Sequence, residues 1–172
     1  MNLFFFPEAA PPRTILSGPE AHHIINVLRH VTGDVILLTN GRGDRFTCKI
    51  TGIGKTTCEL SVEESVSHPL EPAGIHIAIG ILKASDRMEW MTEKLTECGI
   101  TSLTYFHTAN AERKVVNTER LTRSAISALK QSGRTWLPDI RGPLRFGDLL
   151  DTAAPGRFIA STRHKDAPTL LN

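Results

Sequence analysis

The period of the hydrophobic pattern changes once along this chain, close to residue 70. Before that point apolar and polar residues alternate, as at Phe46, Cys48 and Ile50, which is the spacing of a strand with one buried face. After it, apolar runs of strand length alternate with segments whose apolar residues recur every three or four positions, as in helices. The segment 68–74 between the two patterns holds two prolines and a glycine. We therefore expect one structural unit at residues 1–70 and another at 75–172.

The first unit is predicted to be a small β-barrel. Short strands are expected at 2–6, 13–16, 34–39, 44–51 and 56–66. Asn40 and Gly41 both tolerate positive φ, so they predict a hairpin turn between two of these strands. One helix is expected over 18–29, with Ile24 and Leu28 on its buried face. Several short strands with turns and one helix favour a barrel.

The second unit is predicted to be a mainly parallel α/β sheet, because strands alternate with helices. Strands are expected at 75–82, 100–106 and 157–161, and the first of these reads as a strand covered on both faces. A helix capped by Ser85 or Asp86 should run to Cys98, with Met88, Met91 and Leu95 inward. A second helix should run from Asn117 or Thr118 to near Gly133, with Leu121, Ala125 and Leu129 inward. A short helix is expected over 146–150.

Composition narrows the class of protein. The 172 residues carry a net charge of +2, and no apolar run approaches the ~20 residues of a membrane helix. The three cysteines, Cys48, Cys58 and Cys98, form no Cys-x-x-Cys pair, so neither a disulfide framework nor a metal site is indicated. We expect a soluble protein of the reducing cytoplasm, without a membrane partner or a metal.

The charge is distributed unevenly along the chain. Residues 1–110 hold 9 Lys and Arg against 12 Asp and Glu, whereas residues 111–172 hold 11 against 6. The last 62 residues therefore carry +5, and much of the excess is arginine, whose planar fork can bind two phosphate oxygens at once. Charge alone fits an ordinary solvated basic face equally well.

Three polar clusters could bind a nucleic-acid backbone. The first places Arg29 and Arg42 near barrel turns. The second, from Lys83 to Glu89, includes Arg87 and lies at the carboxyl end of a strand, where open α/β sheets bind ligands. The third joins two segments whose cations, amide and hydroxyl suit phosphate and base contacts: Glu112-Arg113-Lys114 and Lys130-Gln131-Ser132-Gly133-Arg134.

Other residue combinations predict no chemistry of their own. Adjacent histidines at 22 and 23 point about 100° apart on a helix and so cannot easily share a metal ion. Cys98 and His107 lack a third orienting group for nucleophilic catalysis. The Gly41–Asp44 segment lies in a hairpin and lacks the Lys-Ser/Thr pair of a phosphate loop.

The chain resembles the RsmE family of 16S rRNA uridine-N3 methyltransferases, of the SPOUT class. The motifs that carry the resemblance occur in family order over nearly the whole chain. They are Val27-Leu28-Arg29, Gly33-Asp34, Asn40-Gly41-Arg42-Gly43, Lys83-Ala84-Ser85-Asp86-Arg87-Met88-Glu89, Thr96-Glu97-Cys98-Gly99-Ile100, Glu112-Arg113-Lys114, and Gln131-Ser132-Gly133-Arg134 continuing to Pro138-Asp139-Ile140. The resemblance implies an RNA-binding PUA-like barrel followed by an α/β trefoil-knot domain, which dimerises and transfers a methyl group from S-adenosylmethionine to N3 of a uridine in small-subunit rRNA.

The chain also departs from the family pattern. Cys98 stands where the family usually has leucine, and Lys130 where many members have glutamate. The family's Gly-Pro-Glu-Gly and Leu-Arg-x-Glu-Thr-Ala segments, which tie the knot and line the cofactor pocket, are not found before Asn172. Ser161 and Thr162 occupy the start of the first cofactor loop and are the expected cofactor contacts. These 172 residues are therefore expected to be inactive by themselves. A non-catalytic RNA-binding protein of the same architecture is the alternative.

Overall fold

A computed structural model describes residues 2–70, 74–109, 115–151 and 156–160 of the chain. Its first sheet has the strand order β1-β3-β4-β5-β2. The strands are β1 (Leu3–Phe5), β2 (Arg13–Ser17), β3 (Val35–Thr39), β4 (Asp44–Ile53) and β5 (Thr57–Ser67). All pairs are antiparallel except β1 with β3. Register shifts at Thr47/Cys48 and Ile50/Gly52 bend β4 and curl the sheet towards the predicted barrel.

The inner face of this sheet holds the alternating residues that the sequence predicts. Phe46, Cys48 and Ile50 of β4 are buried, as are Cys58 and Leu60 of β5. Since successive residues of a strand face opposite sides, one face collects the apolar set and forms a separate hydrophobic core.

The predicted helix over 18–29 is only partly correct. It consists of α1 (Gly18–His22) followed by a π-helical turn, His23–Val27. Ile24 is fully buried, but Leu28 is 37% exposed. The Leu28 amide bonds to the His23 carbonyl, five residues back, and this wider turn rotates Leu28 away from the core.

The second sheet is three-stranded and entirely parallel, as predicted. Its order is β6-β7-β8, with β6 (His76–Gly80), β7 (Ser102–His107) and β8 (Asp139–Arg145). Helices α2 (Ser85–Cys98) and α3 (Thr118–Ser132) connect the strands, and α4 (Phe146–Leu150) follows β8. The two helices and the inner face of β7 enclose a second core.

Two predictions about the strands of this sheet are wrong. The sequence predicts no strand at 139–145, yet β8 accommodates Gly142 and Pro143 at a register shift between the pairs Thr104–Arg141 and Phe106–Leu144. Residues 157–160 are not a strand: Phe158 and Ile159 are 75% and 83% exposed.

The expectation that β6 is covered on both faces is also wrong for the described residues. His76 and Ala78 are exposed, whereas Ile77 and Ile79 pack against the second core. Helices α2 and α3 therefore cover one face of the sheet.

Helix α2 ends as predicted but begins and faces differently. Gly99 ends it in the left-handed conformation, with φ of 83°. Ala84, not Ser85 or Asp86, is the N-cap, and no side chain caps it. Its fully buried residues are Met88, Thr92 and Thr96, while Met91 and Leu95 are half-buried.

Helix α3 follows the prediction closely. Asn117 is the N-cap, and its side-chain oxygen accepts a hydrogen bond from the Arg120 amide at 3.0 Å. Gly133 ends the helix with φ of 70°. The three predicted inward residues are all buried: Leu121, Ala125 and Leu129.

The two sheets have separate cores, but the domain boundary near residue 70 stays a prediction. Within the four described ranges, no helix is both long and apolar enough to span a membrane. The same ranges contain no group of three or more His, Cys, Asp or Glu that could hold a metal ion.

Candidate nucleic-acid interface

Arg29 is exposed in the turn that follows the π-helical segment, and hydrogen bonds hold this turn in place. Its φ of 55° makes it the one non-glycine residue with positive φ in the described part of the chain. The Asp34 carboxylate holds the turn by accepting from the Val31 amide at 3.0 Å and by pairing with His30 Nδ1 at 2.8 Å. These hydrogen bonds, first that of Val31 and then that of His30, lower the pKa of Asp34.

Arg42 lies exposed in the loop between β3 and β4, which we call the 40–44 loop. The predicted hairpin is present, but Gly41 and Gly43 adopt positive φ and Asn40 does not. The Asn40 side chain instead accepts from the amides of Arg42, at 2.8 Å, and Asp44, at 3.3 Å. The Arg42 guanidinium donates to the Pro7 carbonyl at 2.7 Å.

The 40–44 loop pairs with the segment Thr135–Leu137, which connects α3 to β8. The Gly43 amide donates to the Thr135 carbonyl, and the Leu137 amide donates to the Gly41 carbonyl, both at 2.9 Å. Arg42 therefore lies directly opposite Trp136 in a short antiparallel bridge. This contact brings Arg42, one member of the first predicted cluster, next to the segment that follows Arg134.

The side chains of that segment are partly engaged in local contacts. Arg134 Nε donates to the Glu97 carbonyl at the end of α2, at 3.1 Å. The Ser132 hydroxyl donates to the Ala128 carbonyl at 2.7 Å, and Gln131 is exposed. Since an arginine has five N–H donors, the terminal nitrogens of Arg134 keep donors for a phosphate.

Lys83 and Arg87 lie at the opposite end of the α/β unit. Both are exposed, next to the carboxyl end of β6 and the start of α2. Arg134 lies instead at the amino ends of the strands, because the Asp139 amide that begins β8 bonds to the Thr101 carbonyl just before β7. Of the predicted third cluster, the structure describes the part that begins at Gln131, at the end of α3 opposite its N-cap Asn117.

A shallow pocket of about 70 Å³ lies between the amino-terminal ends of α2 and α3. Its lining includes Ser85, Glu89 and Arg120. Glu89 pairs with Arg120 at 2.7 Å. Ligand sites usually enclose roughly 300–1,000 Å³, so this pocket does not fit S-adenosylmethionine.

Sequence reasoning did not predict the contacts that Lys130 and Trp136 make. Lys130 Nζ lies 2.6 Å from Glu20 Oε1, and Trp136 Nε1 donates to the His68 carbonyl at 2.8 Å. The sequence places Lys130 in the third cluster without a partner, and nothing in it singles out Trp136. Four further predicted residues, Arg113, Lys114, Ser161 and Thr162, lie outside the described residues.

Comparisons with known proteins match both sheets. Residues 16–63 match the RNA methyltransferase PUA domain family, and residues 69–172 match the RNA methyltransferase domain family. The probable rRNA-methyltransferase from Porphyromonas gingivalis is 38% identical with a TM-score of 0.79, covering 89% of this chain and 65% of that one. The Ribosomal RNA small subunit methyltransferase E from Neisseria gonorrhoeae, solved with S-adenosyl methionine, is 26% identical with a TM-score of 0.74, covering 90% and 66%.

Curated relatives carry the same name. Ribosomal RNA small subunit methyltransferase E of Bacillus subtilis (strain 168) is 32% identical over 150 residues, covering 83% of this chain and 58% of the relative. That of Rickettsia conorii is 27% identical over 157 residues, covering 91% and 64%. The chain thus spans less than two thirds of the length of these relatives.

A PUA-like barrel followed by a SPOUT-like α/β sheet is the architecture of one class of RNA methyltransferase, which confirms the predicted fold class. Within this class the chain belongs to the RsmE family.

Proposed function

We propose that this chain is the RNA-binding part, with a portion of the catalytic domain, of a methyltransferase that modifies small-subunit rRNA. The supporting observation is the contact between the 40–44 loop and Thr135–Leu137, which joins the segments of the two family domains that carry Arg42 and Arg134. In this proposal Arg29, Arg42 and Arg134 bind phosphates, because the planar guanidinium of arginine can donate two parallel hydrogen bonds to a phosphate. Gln131 and Ser132 supply polar contacts beside them.

The proposed reaction is methylation of a uridine N3 in 16S rRNA. S-adenosylmethionine supplies the methyl group as an electrophilic sulfonium. The pocket between α2 and α3 does not fit this cofactor. The proposal leaves Lys83, Arg87, Arg113 and Lys114 to bind RNA near the carboxyl edge of the sheet, with Ser161 and Thr162 as cofactor contacts. In this proposal the protein is a homodimer in the cytoplasm. Light scattering measures its molar mass in solution and so tests the dimer.

RNA binding is the first test of this proposal. We expect the affinity for a small-subunit rRNA fragment to fall linearly with salt on logarithmic axes, because bound cations release counterions from phosphates. A DNA duplex of equal length is the control. A flat salt profile, or equal affinity for the DNA, would contradict RNA recognition by these residues.

Methylation is tested on the protein in its cell. Deleting the gene should remove 3-methyluridine from small-subunit rRNA, as measured by mass spectrometry of its nucleosides, and restoring the gene should return it. Unchanged 3-methyluridine after deletion, together with preserved RNA binding, would favour the non-catalytic RNA-binding alternative.

A further inference from the structure

We infer that Trp136 and the 40–44 loop form a fixed joint that makes Arg42 and Arg134 bind one continuous stretch of RNA backbone. The inference rests on the proposed function and assigns Trp136 as a positioning residue. It needs a loop that is rigid in itself, a tight contact across the joint, and two arginines that keep donors for phosphate.

The 40–44 loop is rigid because its polar groups bond to one another. Asn40 is 6% exposed, and its side-chain nitrogen donates to the Asp44 carboxylate at 2.7 Å while its oxygen accepts from two loop amides. The Thr39 hydroxyl donates to the Asp44 carbonyl at 2.8 Å. A buried amide with three partners restricts the loop to one conformation.

The Trp136 ring fills the space that a side chain on residue 43 would occupy. A Cβ added to Gly43 would lie 2.6 Å from the indole ring and 2.5 Å from the His68 carbonyl oxygen. The His68 carbonyl in turn accepts from Trp136 Nε1, and the His68 amide donates to the Gly43 carbonyl at 2.9 Å. Gly43 also has φ of 98°, so the close approach and the backbone both require glycine.

A second contact joins the two units through α1 and α3. The Lys130 ammonium, near the end of α3, pairs with Glu20 of α1 at 2.6 Å, and both side chains are largely buried. The interface is thus held at the Trp136 ladder and at this ion pair, which resists rotation about either contact alone.

Arg42 and Arg134 are the cations that this joint fixes. Arg42 lies opposite Trp136, and Arg134 precedes Trp136 by two residues. Each guanidinium donates one hydrogen bond to a protein carbonyl, and this bond orients the guanidinium. Its other N–H groups can donate to phosphate. When one arginine is bound, a rigid joint presents the second to the neighbouring phosphates at high effective concentration.

The test measures how the two arginines depend on each other. RNA affinity is determined for Arg42→Ala, Arg134→Ala and the double variant, first with Trp136 intact and then with Trp136→Ala. With Trp136 intact, we expect each single arginine variant to lose most of the RNA affinity that the two arginines provide together. The loss of binding free energy in the double variant should then be smaller than the sum of the two single losses. In the Trp136→Ala chain, the two losses should become additive, and RNA affinity should fall by at least about tenfold.

Trp90→Ala is the matched control, because Trp90 is the second tryptophan and is 60% exposed on α2. It should leave both affinity and coupling unchanged. Should Trp136→Ala fail to fold by circular dichroism, Trp136→Phe retains most of the ring, removes the Nε1 donor, and should still reduce the coupling. Folded Trp136 variants with unchanged affinity and coupling would overturn the joint while leaving RNA binding intact. Absence of RNA binding by the unaltered chain would overturn the proposed function and the joint with it.

Discussion

Removing one partner of the Lys130–Glu20 ion pair is expected to destabilise the fold. Both side chains are mostly buried, at 24% and 17% exposure, and the second Glu20 oxygen has no hydrogen-bond partner among the described residues. We expect Lys130→Met to lower the free energy of unfolding by about 1–3 kcal/mol, because it leaves a carboxylate buried and unpaired. Urea denaturation measures this. Adding Glu20→Gln should recover part of the loss; no recovery would mean that Lys130 acts through packing alone.

The three cysteines differ in reactivity for a physical reason. Burial, with a smaller contribution from Glu63, raises the pKa of the Cys48 thiol to about 11, and burial likewise raises that of Cys58. Cys98 is exposed at the end of α2. Because the thiolate is the reactive form, we expect an aromatic disulfide reagent at neutral pH to modify Cys98 alone in the folded protein and all three after denaturation. Cys98→Ser should abolish the rapid native reaction; persistent labelling would show that the barrel core opens.

At the residue scale, the sequence could predict which cations to consider but not where they would meet. The motifs around Arg42 and Arg134 are visible as separate surface segments about ninety positions apart. Their contact depends on backbone hydrogen bonds made by Gly41, Gly43 and Leu137. Because these bonds do not involve side chains, the sequence does not reveal them.

At the scale of elements, helix α2 shows where a hydrophobic pattern misleads. Thr92 and Thr96 take inward positions because each hydroxyl donates to the carbonyl four residues earlier, at 2.8 and 2.7 Å. A threonine so satisfied can be buried at little cost, so the true inward face runs Met88, Thr92, Thr96. Helix α3 could be predicted almost completely, because its capping residues and the spacing of its apolar residues indicate the same helix.

Thr92 also links α2 to the central strand β7. Its hydroxyl lies 3.1 Å from the Tyr105 hydroxyl, which donates to the Met88 carbonyl at 3.2 Å. We expect Thr92→Val and Tyr105→Phe each to lower the free energy of unfolding by about 1 kcal/mol, and the double variant to cost less than their sum. Strict additivity in thermal or urea unfolding would contradict a shared hydrogen-bond network.

At the scale of the whole molecule, fold class could be predicted because barrel and α/β patterns differ in period, whereas strand membership could not be predicted everywhere. Strand β8 contains Gly142 and Pro143, two residues that normally interrupt a strand, and tolerates them at an edge with a register shift. The apolar Phe158-Ile159 pair has strand-like composition but no strand beside it in the described residues.

The cofactor offers a prediction for the polypeptide as a whole. The pocket between α2 and α3 is about 70 Å³, far smaller than the roughly 300–1,000 Å³ of a site that holds a ligand of this size, and the expected contacts Ser161 and Thr162 lie outside the described residues. We expect isothermal titration of the 172-residue polypeptide with S-adenosylmethionine to detect only weak binding, with no methyl transfer to rRNA. Micromolar binding would contradict this; the Bacillus subtilis relative at full length is the positive control.

Helix α3 sets a minimum length for any RNA that reaches both groups of arginines. Its 15 residues span about 22 Å, from the carboxyl edge of the sheet near Arg87 to the joint near Arg134. An RNA strand that advances about 3.4 Å per nucleotide, as in a duplex, covers this distance with some six or seven nucleotides. In the proposed mode of RNA binding, shorter duplexes contact one end only, and affinity rises once the ligand reaches this length.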